Sequence, residues 1–258
     1  MNEYLAFAAI LILIFIVNYF FNKVPALRDN KKNLVHKSFT DSKSKPPFSG
    51  GIIFLLSLLI FLPNENYILK IFCCMVFLVG FLSDIELFKS PNIRFIVQLI
   101  LVVAFVTLNE TFITSIKINF IDIILENFIF KVFFVTFCFL ILLNGSNFID
   151  GVNTLAIGYY LLIIFFLKDI YIDLNDQSVP SDILNFLIVS LAGILILNFF
   201  NLLYLGDNGA YLISFVIGAL LINLAEKYQS VSPYYVVNLL WYPAFENLFS
   251  ILRKLKKK

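Results

Sequence analysis

The sequence has few charged residues and a single histidine. Only 14% of the 258 residues are charged, 60% are apolar, and the mean hydropathy is +0.92. Soluble domains usually have about 25% charged residues, so the composition excludes an ordinary soluble protein and indicates a lipid environment. The net charge is +2, and no basic stripe with interleaved aromatic residues points to nucleic-acid binding.

The sequence also lacks the usual signatures of metal and nucleotide sites in soluble proteins. The three cysteines, Cys73, Cys74 and Cys138, lie in apolar segments and are interpreted as small buried hydrophobic residues. With His36 as the only histidine and no second cysteine cluster, no zinc site is expected. No P-loop and no dinucleotide-binding glycine motif occurs.

Long apolar segments are present instead. Because a spanning helix needs about 20 apolar residues, the pattern predicts an all-α membrane bundle of about nine transmembrane helices. They are expected over residues 4–21, 49–63, 67–83, 91–108, 127–143, 152–168, 182–200, 209–226 and 233–252. Residues 111–126 are weakly apolar and predict an external hairpin or an interfacial segment. Residues 1–258 are expected to form one membrane domain, since no repeat or linker divides them.

The basic residues predict the orientation of this bundle. With the N-terminus outside, 14 of the 19 basic residues lie in inside loops or in the C-terminal tail. This bias is the usual positive-inside pattern. It predicts an odd number of spans, an outside N-terminus and a cytoplasmic C-terminus.

Polar residues are concentrated in four segments that this topology brings to the cytoplasmic side. The segments are 45–51, 80–84, 144–153 and 205–209. Three of them have a simpler structural interpretation when taken alone. The pair Gly50 and Gly51 fits close helix packing, Asp150 fits a tight turn, and Asp207 or Asn208 fits a helix N-cap. The concentration of all four segments on one side favours a functional site.

The third segment has a regular spacing. Asn144, Asn147, Asp150 and Asn153 recur every three residues, which predicts that their oxygens share one side of a helical turn. Acids at membrane depth are costly and usually functional. Such oxygen ligands suit Mg²⁺ bound together with substrate phosphates.

Three further features of these segments suit a diphosphate. Helices that begin at Gly151 and Gly209 would direct backbone N–H groups at phosphate. Lys45 would add a positive charge, and the glycines Gly50 and Gly51 would allow close approach. The predicted ligand is therefore a metal-bound diphosphate held at one face of a membrane domain.

In chain order, the polar segments resemble the motifs of the polyprenyl-phosphate N-acetylhexosamine-1-phosphate transferases, glycosyltransferase family 4. Residues 47–52 are similar to P-x-x-G-G-I, and residues 80–84 to G-F-x-D-D. Residues 144–158 resemble N-x-x-N-x-x-D-G-x-[DN]-x-L-A-x-G, the most specific of the motifs. Residues 206–210 resemble G-D-x-G-S, and residues 243–246 resemble P-x-[FA]-[DE].

The resemblance implies transfer of a sugar-1-phosphate from a UDP-sugar to a polyprenyl phosphate, with release of UMP. This is the first membrane step of cell-envelope glycan synthesis, and it uses Mg²⁺ or Mn²⁺. The resemblance makes Asp207 the main metal ligand with help from Asn147. It gives Asn153 a contact with uracil and Asp150 an orienting role. Asp84, from the acidic pair, would act on the acceptor phosphate.

Two features depart from the family pattern. Ser83 stands where the family has the first acid, and a serine cannot replace a carboxylate as a base or cation ligand. The family also continues after its equivalent of residues 243–246 with a His-bearing loop and a tenth helix, which do not follow before Lys258. His36 is expected to be a solvated loop residue rather than a substitute.

Two other functions stay open from the sequence. One is a catalytically degenerate relative that acts as a binding or regulatory partner, which Ser83 favours. The other is a transporter, but transporter sites usually lie near the midplane, whereas these residues gather at one face. A homodimer also stays open, because the helices have no strong G-x-x-x-G pattern.

Overall fold

The computed structural model describes residues 3–24, 46–174, 181–228 and 230–256. A 3₁₀ turn over Asn64–Asn66 directly precedes the third of ten α-helices in this part of the chain. The helices are α1 (Glu3–Asn22), α2 (Gly50–Phe61), α3 (Tyr67–Asp84), α4 (Pro91–Leu108), α5 (Asn119–Leu125), α6 (Phe128–Ile149), α7 (Leu155–Asp173), α8 (Ser181–Phe199), α9 (Gly206–Lys227) and α10 (Pro233–Leu255).

The all-helical fold is confirmed, and each of the nine predicted segments corresponds to a helix. Five of the described helices, α3, α4, α6, α7 and α9, are long and apolar enough to cross a membrane. Three more apolar helices are shorter, over Phe7–Asn22, Gly50–Phe61 and Ile183–Phe199. The number of nine spans and the orientation of the termini stay predictions. Residues 111–126 form a loop and the short helix α5.

The boundaries of α6 and α7 differ from the prediction. Instead of ending near residue 143, α6 continues to Ile149, and α7 begins at Leu155 rather than at Gly151. The polar residues at the end of α6 resemble a loop in the sequence. They remain helical because other helices satisfy them: Asn144 Nδ2 donates to Gln98 Oε1 on α4 at 3.2 Å, and Asn147 Nδ2 donates to the Tyr211 hydroxyl on α9 at 3.3 Å. Local polarity therefore gave the wrong boundary where tertiary packing satisfies the polar groups.

The centre of the bundle is α9. It packs against α2, α3, α6, α7 and α10, and most of its length is buried. Glycines permit this packing: a methyl group added at Gly218 would lie 2.9 Å from Phe139. By contrast, α4 is mostly exposed along its length, and Ile100 on it is 62% exposed. An apolar outer surface around a buried helix is the arrangement expected in lipid.

Candidate active site

The carboxylate of Asp207 is the centre of the polar residues at one end of the bundle. Asp207 lies in the first turn of α9, where its Oδ2 accepts from the Ser83 hydroxyl at 2.5 Å and from Arg94 Nη1 at 2.8 Å. Arg94 Nη1 also donates to Ser83 Oγ at 2.6 Å. Three side chains from α3, α4 and α9 thus form a closed triangle, which we call the Asp207 triangle.

The Asp207 triangle is partly shielded from solvent. The Arg94 and Asp207 side chains are 22% and 19% exposed, and Ser83 is buried. An ion pair in this setting is screened less by salt than a surface pair. The second carboxylate oxygen of Asp207, Oδ1, has no hydrogen bond from the described residues. Asp207 therefore presents one engaged oxygen and one open oxygen.

Asp84 binds the N-terminus of α9. Its Oδ1 accepts from the Asp207 backbone N–H at 3.0 Å, and its Oδ2 accepts from the Asn208 backbone N–H at 3.0 Å. The carboxylate is nearly buried, at 6% exposure. A negative charge at this position also suits the helix dipole. The prediction that Asp207 or Asn208 caps its own helix is wrong, because α3 supplies the capping carboxylate.

The same contact corrects the expected role of the helix N-termini. The first backbone N–H groups of α9 are taken up by Asp84 rather than directed at a phosphate. Gly151 is not at a helix N-terminus either, because α7 begins four residues later. The backbone N–H groups of Asp207 and Asn208 are therefore not free to bind a phosphate.

Gly50 and Gly51 lie where α2 packs directly against the start of α9. A methyl group added at Gly51 would be 1.8 Å from Asn208 Oδ1 and 2.5 Å from the Gly209 backbone nitrogen. One added at Gly50 would be 2.9 Å from Leu205 Cα. Close helix packing thus explains both glycines, as one of the sequence interpretations proposed. Their contact with a diphosphate stays a prediction.

A short backbone pairing connects the residues before α2 with those before α9. The Tyr204 N–H donates to the Pro47 carbonyl at 2.9 Å, and the Gly50 N–H donates to the Tyr204 carbonyl at 3.1 Å. Gly206 then turns the chain into α9 with a φ of 76°, which glycine adopts at little cost. The first and fourth polar segments are therefore joined. Lys45, the predicted phosphate contact of the first segment, lies outside the described residues.

Asn144 and Asn147 lie on the last turns of α6. Asn144 Nδ2 donates to Gln98 Oε1 on α4 at 3.2 Å and to the Leu140 carbonyl at 2.8 Å. Asn147 Nδ2 donates to the Tyr211 hydroxyl at 3.3 Å, one turn after Asp207 on α9. Both amides thus bind the helices that carry the Asp207 triangle. Because its nitrogen is the donor, Asn147 keeps its oxygen as an acceptor.

Beyond α6, Asn153 faces a different element. Its Nδ2 donates to Asn201 Oδ1 in the connection between α8 and α9. The next residue, Thr154, has a left-handed φ of 67°, and its N–H donates to Asn198 Oδ1 at 2.6 Å. Asn198 Nδ2 in turn donates to the Leu203 carbonyl at 3.0 Å. The prediction that these side chains share one side is therefore wrong. Asn144 and Asn147 face α4 and α9, whereas Asn153 faces the α8–α9 connection.

Asp150 directly follows α6. It is the C-cap residue, its N–H donates to the Ser146 carbonyl at 3.1 Å, and it is half-buried. This position lies between the amides of α6 and the Asn153 turn. A role in orienting the turn fits this location but stays a prediction.

The late motif over residues 243–246 packs against the third polar segment. A methyl group added at Gly145 on α6 would be 2.1 Å from the carbonyl oxygen of Pro243 on α10. Asn247 Nδ2 donates to the Ile141 carbonyl at 3.4 Å. The glycine therefore permits direct contact between α6 and α10, which places residues 243–246 next to the third polar segment.

Sequence reasoning missed several polar residues of the site. Arg94 was counted only as a basic residue that sets orientation, although it binds Asp207 directly. Gln98, one helical turn after Arg94, is 1% exposed and binds Asn144. A charge and an amide one turn apart within an apolar helix are the signal that could have identified both. Asn198 and Asn201 carried no comparable signal, since asparagines are common at helix ends.

The donor set fits a metal that is bound jointly with substrate. Within the described residues, no three histidine, cysteine or acidic side chains cluster to hold a metal. Mg²⁺, however, commonly binds through one or two carboxylates and completes its shell with water and phosphate oxygens. The open Oδ1 of Asp207 supplies such a carboxylate oxygen, and Asn147 supplies an amide oxygen.

A comparison with protein families agrees with this geometry. A family model described as glycosyl transferase family 4 matches residues 67–225, more than half of the chain. The match includes the segments 80–84, 144–153 and 205–209, whereas 45–51 and 243–246 lie outside it. A search of curated proteins gave no match. With Asp207 at the junction of the matched segments, the chain belongs to glycosyl transferase family 4.

Proposed function

We propose that this protein transfers a sugar-1-phosphate from a UDP-sugar to a polyprenyl phosphate and releases UMP. The donor sugar is an N-acetylhexosamine in this proposal, and the product starts a cell-envelope glycan. The observation that carries the proposal is the position of Asp207, which has an open carboxylate oxygen next to segment 80–84 and lies one helical turn before Tyr211, the partner of Asn147 in segment 144–153. In this proposal the protein lies in a bacterial inner membrane. The end of the bundle that carries the site faces the cytoplasm, where UDP-sugars are made.

In the proposed reaction, an oxygen of the acceptor phosphate attacks the phosphorus that carries the sugar. A new P–O bond forms, and the bond from this phosphorus to the bridging oxygen breaks, so UMP leaves with the electron pair. When bound, Mg²⁺ neutralises charge on the diphosphate and orients the in-line attack. Asp207 Oδ1 and the Asn147 amide oxygen are the groups that would hold it.

The side chains around Asp207 have separate roles in this proposal. Asp84 is a positioning residue rather than the group expected to act on the acceptor phosphate, because its carboxylate accepts hydrogen bonds from the first turn of α9. Arg94 has guanidinium donors beyond Nη1, and its buried Nε has no partner among the described residues. A guanidinium with spare donors suits phosphate oxygens. Asn153 and Asp150 contact the nucleotide from the turn after α6.

The serine at position 83 is compatible with this chemistry. A phosphate monoester has a second pKa of about 6, so the acceptor is already mostly a dianion at pH 7. The attacking oxygen therefore needs no strong base from the protein. Ser83 supplies a hydroxyl that orients Asp207 and Arg94 instead.

The test uses the purified full chain in lipid nanodiscs, Mg²⁺, undecaprenyl phosphate and a panel of radiolabelled UDP-sugars. We expect label in the lipid fraction, reduced at least about 100-fold by Asp207→Asn, because a group that acts on the reacting phosphate is lost. Asp173→Asn is the matched control, since Asp173 is exposed at the far end of α7. Equal transfer by Asp207→Asn would contradict the proposal.

One observation favours a second candidate, a binding or regulatory partner without catalysis. Ser83 replaces an acid of the family pattern, and Arg94 already occupies one oxygen of Asp207. This candidate predicts that the wild-type chain transfers no label from any donor in an assay where an active polyprenyl-phosphate transferase does. It also predicts that UDP-sugar binding persists.

A further inference from the structure

The Asp207 triangle has a charge balance that depends on residue 83. Arg94 Nη1 lies 2.8 Å from Asp207 Oδ2, and the Ser83 hydroxyl contacts both atoms, at 2.6 Å from Nη1 and 2.5 Å from Oδ2. A hydroxyl can accept from the guanidinium while it donates to the carboxylate. A carboxylate at position 83 has no proton to donate and would repel Asp207.

The other acid of the site cannot replace Asp207 as the partner of Arg94. Asp84 accepts from two backbone N–H groups and from Asn208 Nδ2 at 2.6 Å, and it is nearly buried. Within the described residues, the only salt bridge of Arg94 is therefore to Asp207. The guanidinium charge is balanced by the same carboxylate that would hold a cation.

We infer that Ser83 holds Arg94 on Asp207 as a built-in counter-ion, with which a divalent cation must compete. The inference rests on the proposed function for its choice of cation, and it concerns this chain's own residues. Without substrate, the charges of Arg94 and Asp207 neutralise each other, so the metal alone binds weakly. An incoming diphosphate supplies the negative charge that lets Arg94 leave Asp207, so metal and donor bind together rather than in sequence.

The extent to which Arg94 weakens metal binding at Asp207 can be judged from proton binding, the simplest case of cation binding to a carboxylate. A cation next to a carboxylate weakens proton binding by about ten- to a thousandfold. The same repulsion acts on a divalent ion at Asp207 Oδ1. Removal of the guanidinium charge should therefore strengthen binding of the metal alone by at least about tenfold.

The experiment measures Mn²⁺ affinity by electron paramagnetic resonance, with the full chain in nanodiscs and without either substrate. We expect Arg94→Gln to bind Mn²⁺ at least about tenfold more tightly than the wild type. Arg94→Lys keeps the charge and should stay within about threefold of the wild type. Ser83→Ala removes the hydroxyl that holds Arg94 on Asp207 and adds no metal ligand, so it should also tighten binding, and it tests the inference if Arg94→Gln does not fold.

The outcomes separate this inference from the proposed function. Tighter Mn²⁺ binding by Arg94→Gln and Ser83→Ala supports the counter-ion role even if no UDP-sugar is transferred. Unchanged or weaker binding by both variants would overturn it even if transfer is found. Absence of detectable Mn²⁺ binding in every variant would also overturn it. Loss of the tightened binding in the double variant Arg94→Gln, Asp207→Asn locates the ion at Asp207.

Discussion

Asp84 Oδ2 accepts two hydrogen bonds from Asn208, one from its backbone N–H at 3.0 Å and one from its side-chain Nδ2 at 2.6 Å. The last residue of α3 is therefore tied to the first turn of α9, next to Asp207. Because Asp84 is only 6% exposed, water cannot easily replace these bonds. The contact explains how a polar turn can be held rigidly at the end of an apolar bundle.

Asp84→Ala should destabilise the protein. It leaves the backbone N–H groups of Asp207 and Asn208 without their acceptor, and Asn208 Nδ2 keeps only the Phe48 carbonyl at 3.5 Å. This should lower the free energy of unfolding by about 2–4 kcal/mol. Thermal unfolding of the detergent-solubilised chain, followed by tryptophan fluorescence, measures the change. Asp173→Ala removes an exposed acid and should change stability by less than about 0.5 kcal/mol. Equal unfolding temperatures for Asp84→Ala and Asp173→Ala would argue against the structural role.

Gly51→Ala should disrupt the junction of α2 and α9. The new methyl group would lie 2.5 Å from the Gly209 backbone nitrogen, and backbone atoms cannot rotate away. We expect a loss of about 3 kcal/mol in stability, at the upper end of overpacking effects. Gly158→Ala is the control, because its methyl group meets only the tip of Leu195 at 3.4 Å. Thermal unfolding and size-exclusion profiles of both variants test this, and a stable Gly51→Ala would be inconsistent with the observed packing.

Asn198→Ala should weaken nucleotide binding more than turnover. Asn198 is 2% exposed and holds the Thr154 N–H at 2.6 Å, next to Asn153. Without it the turn after α6 becomes mobile, so KM for the UDP-sugar should rise about tenfold while kcat changes less. Asn223→Ala, on the exposed face of α9 near its end, should leave both constants unchanged. A fall in kcat alone would contradict the assignment of this turn to nucleotide binding.

The loop before α5 should lose order in acid. Asp122 Oδ1 accepts from the Ile116 N–H at 2.7 Å, and Oδ2 accepts from the Ser115 hydroxyl at 2.8 Å. The Ile116 bond first, and then the Ser115 bond, lower the pKa of Asp122 below its usual 3.8. Stability from a depressed carboxyl pKa is fully present above the unfolded value and is lost as pH falls through the folded value.

Amide hydrogen exchange at Ile116 measures this effect. Relative to the chemical exchange rate, its protection should be constant above about pH 5 and should fall below about pH 3.8. Asp122→Asn removes the titrating group, so its protection should be independent of pH in this range. A wild-type protection factor that does not change between pH 5 and pH 2.5 would contradict the role of Asp122.

The sequence was sufficient for the helical fold and the family because both depend on local features. Apolar segments of helical length predict the helices, and 144–153 carries enough spaced polar residues to identify the family. Asp207, Asn147 and Asn144 were predicted to gather, and they do bind neighbouring helices at one end of the bundle. The length of α6 was missed, since its polar end is satisfied by residues distant in sequence.

By itself, then, the amino-acid sequence determined the membrane class, the helices and the set of polar residues from which a site is built. Only the tertiary structure decided what those residues do. Asp84 binds the start of α9, Gly50 and Gly51 allow α2 to pack against α9, and Arg94 forms an ion pair with Asp207 that Ser83 also contacts. The physical reason is that hydrogen bonds and ion pairs require distances of about 3 Å. Contacts between residues more than 100 positions apart are set by packing, which a linear pattern does not encode.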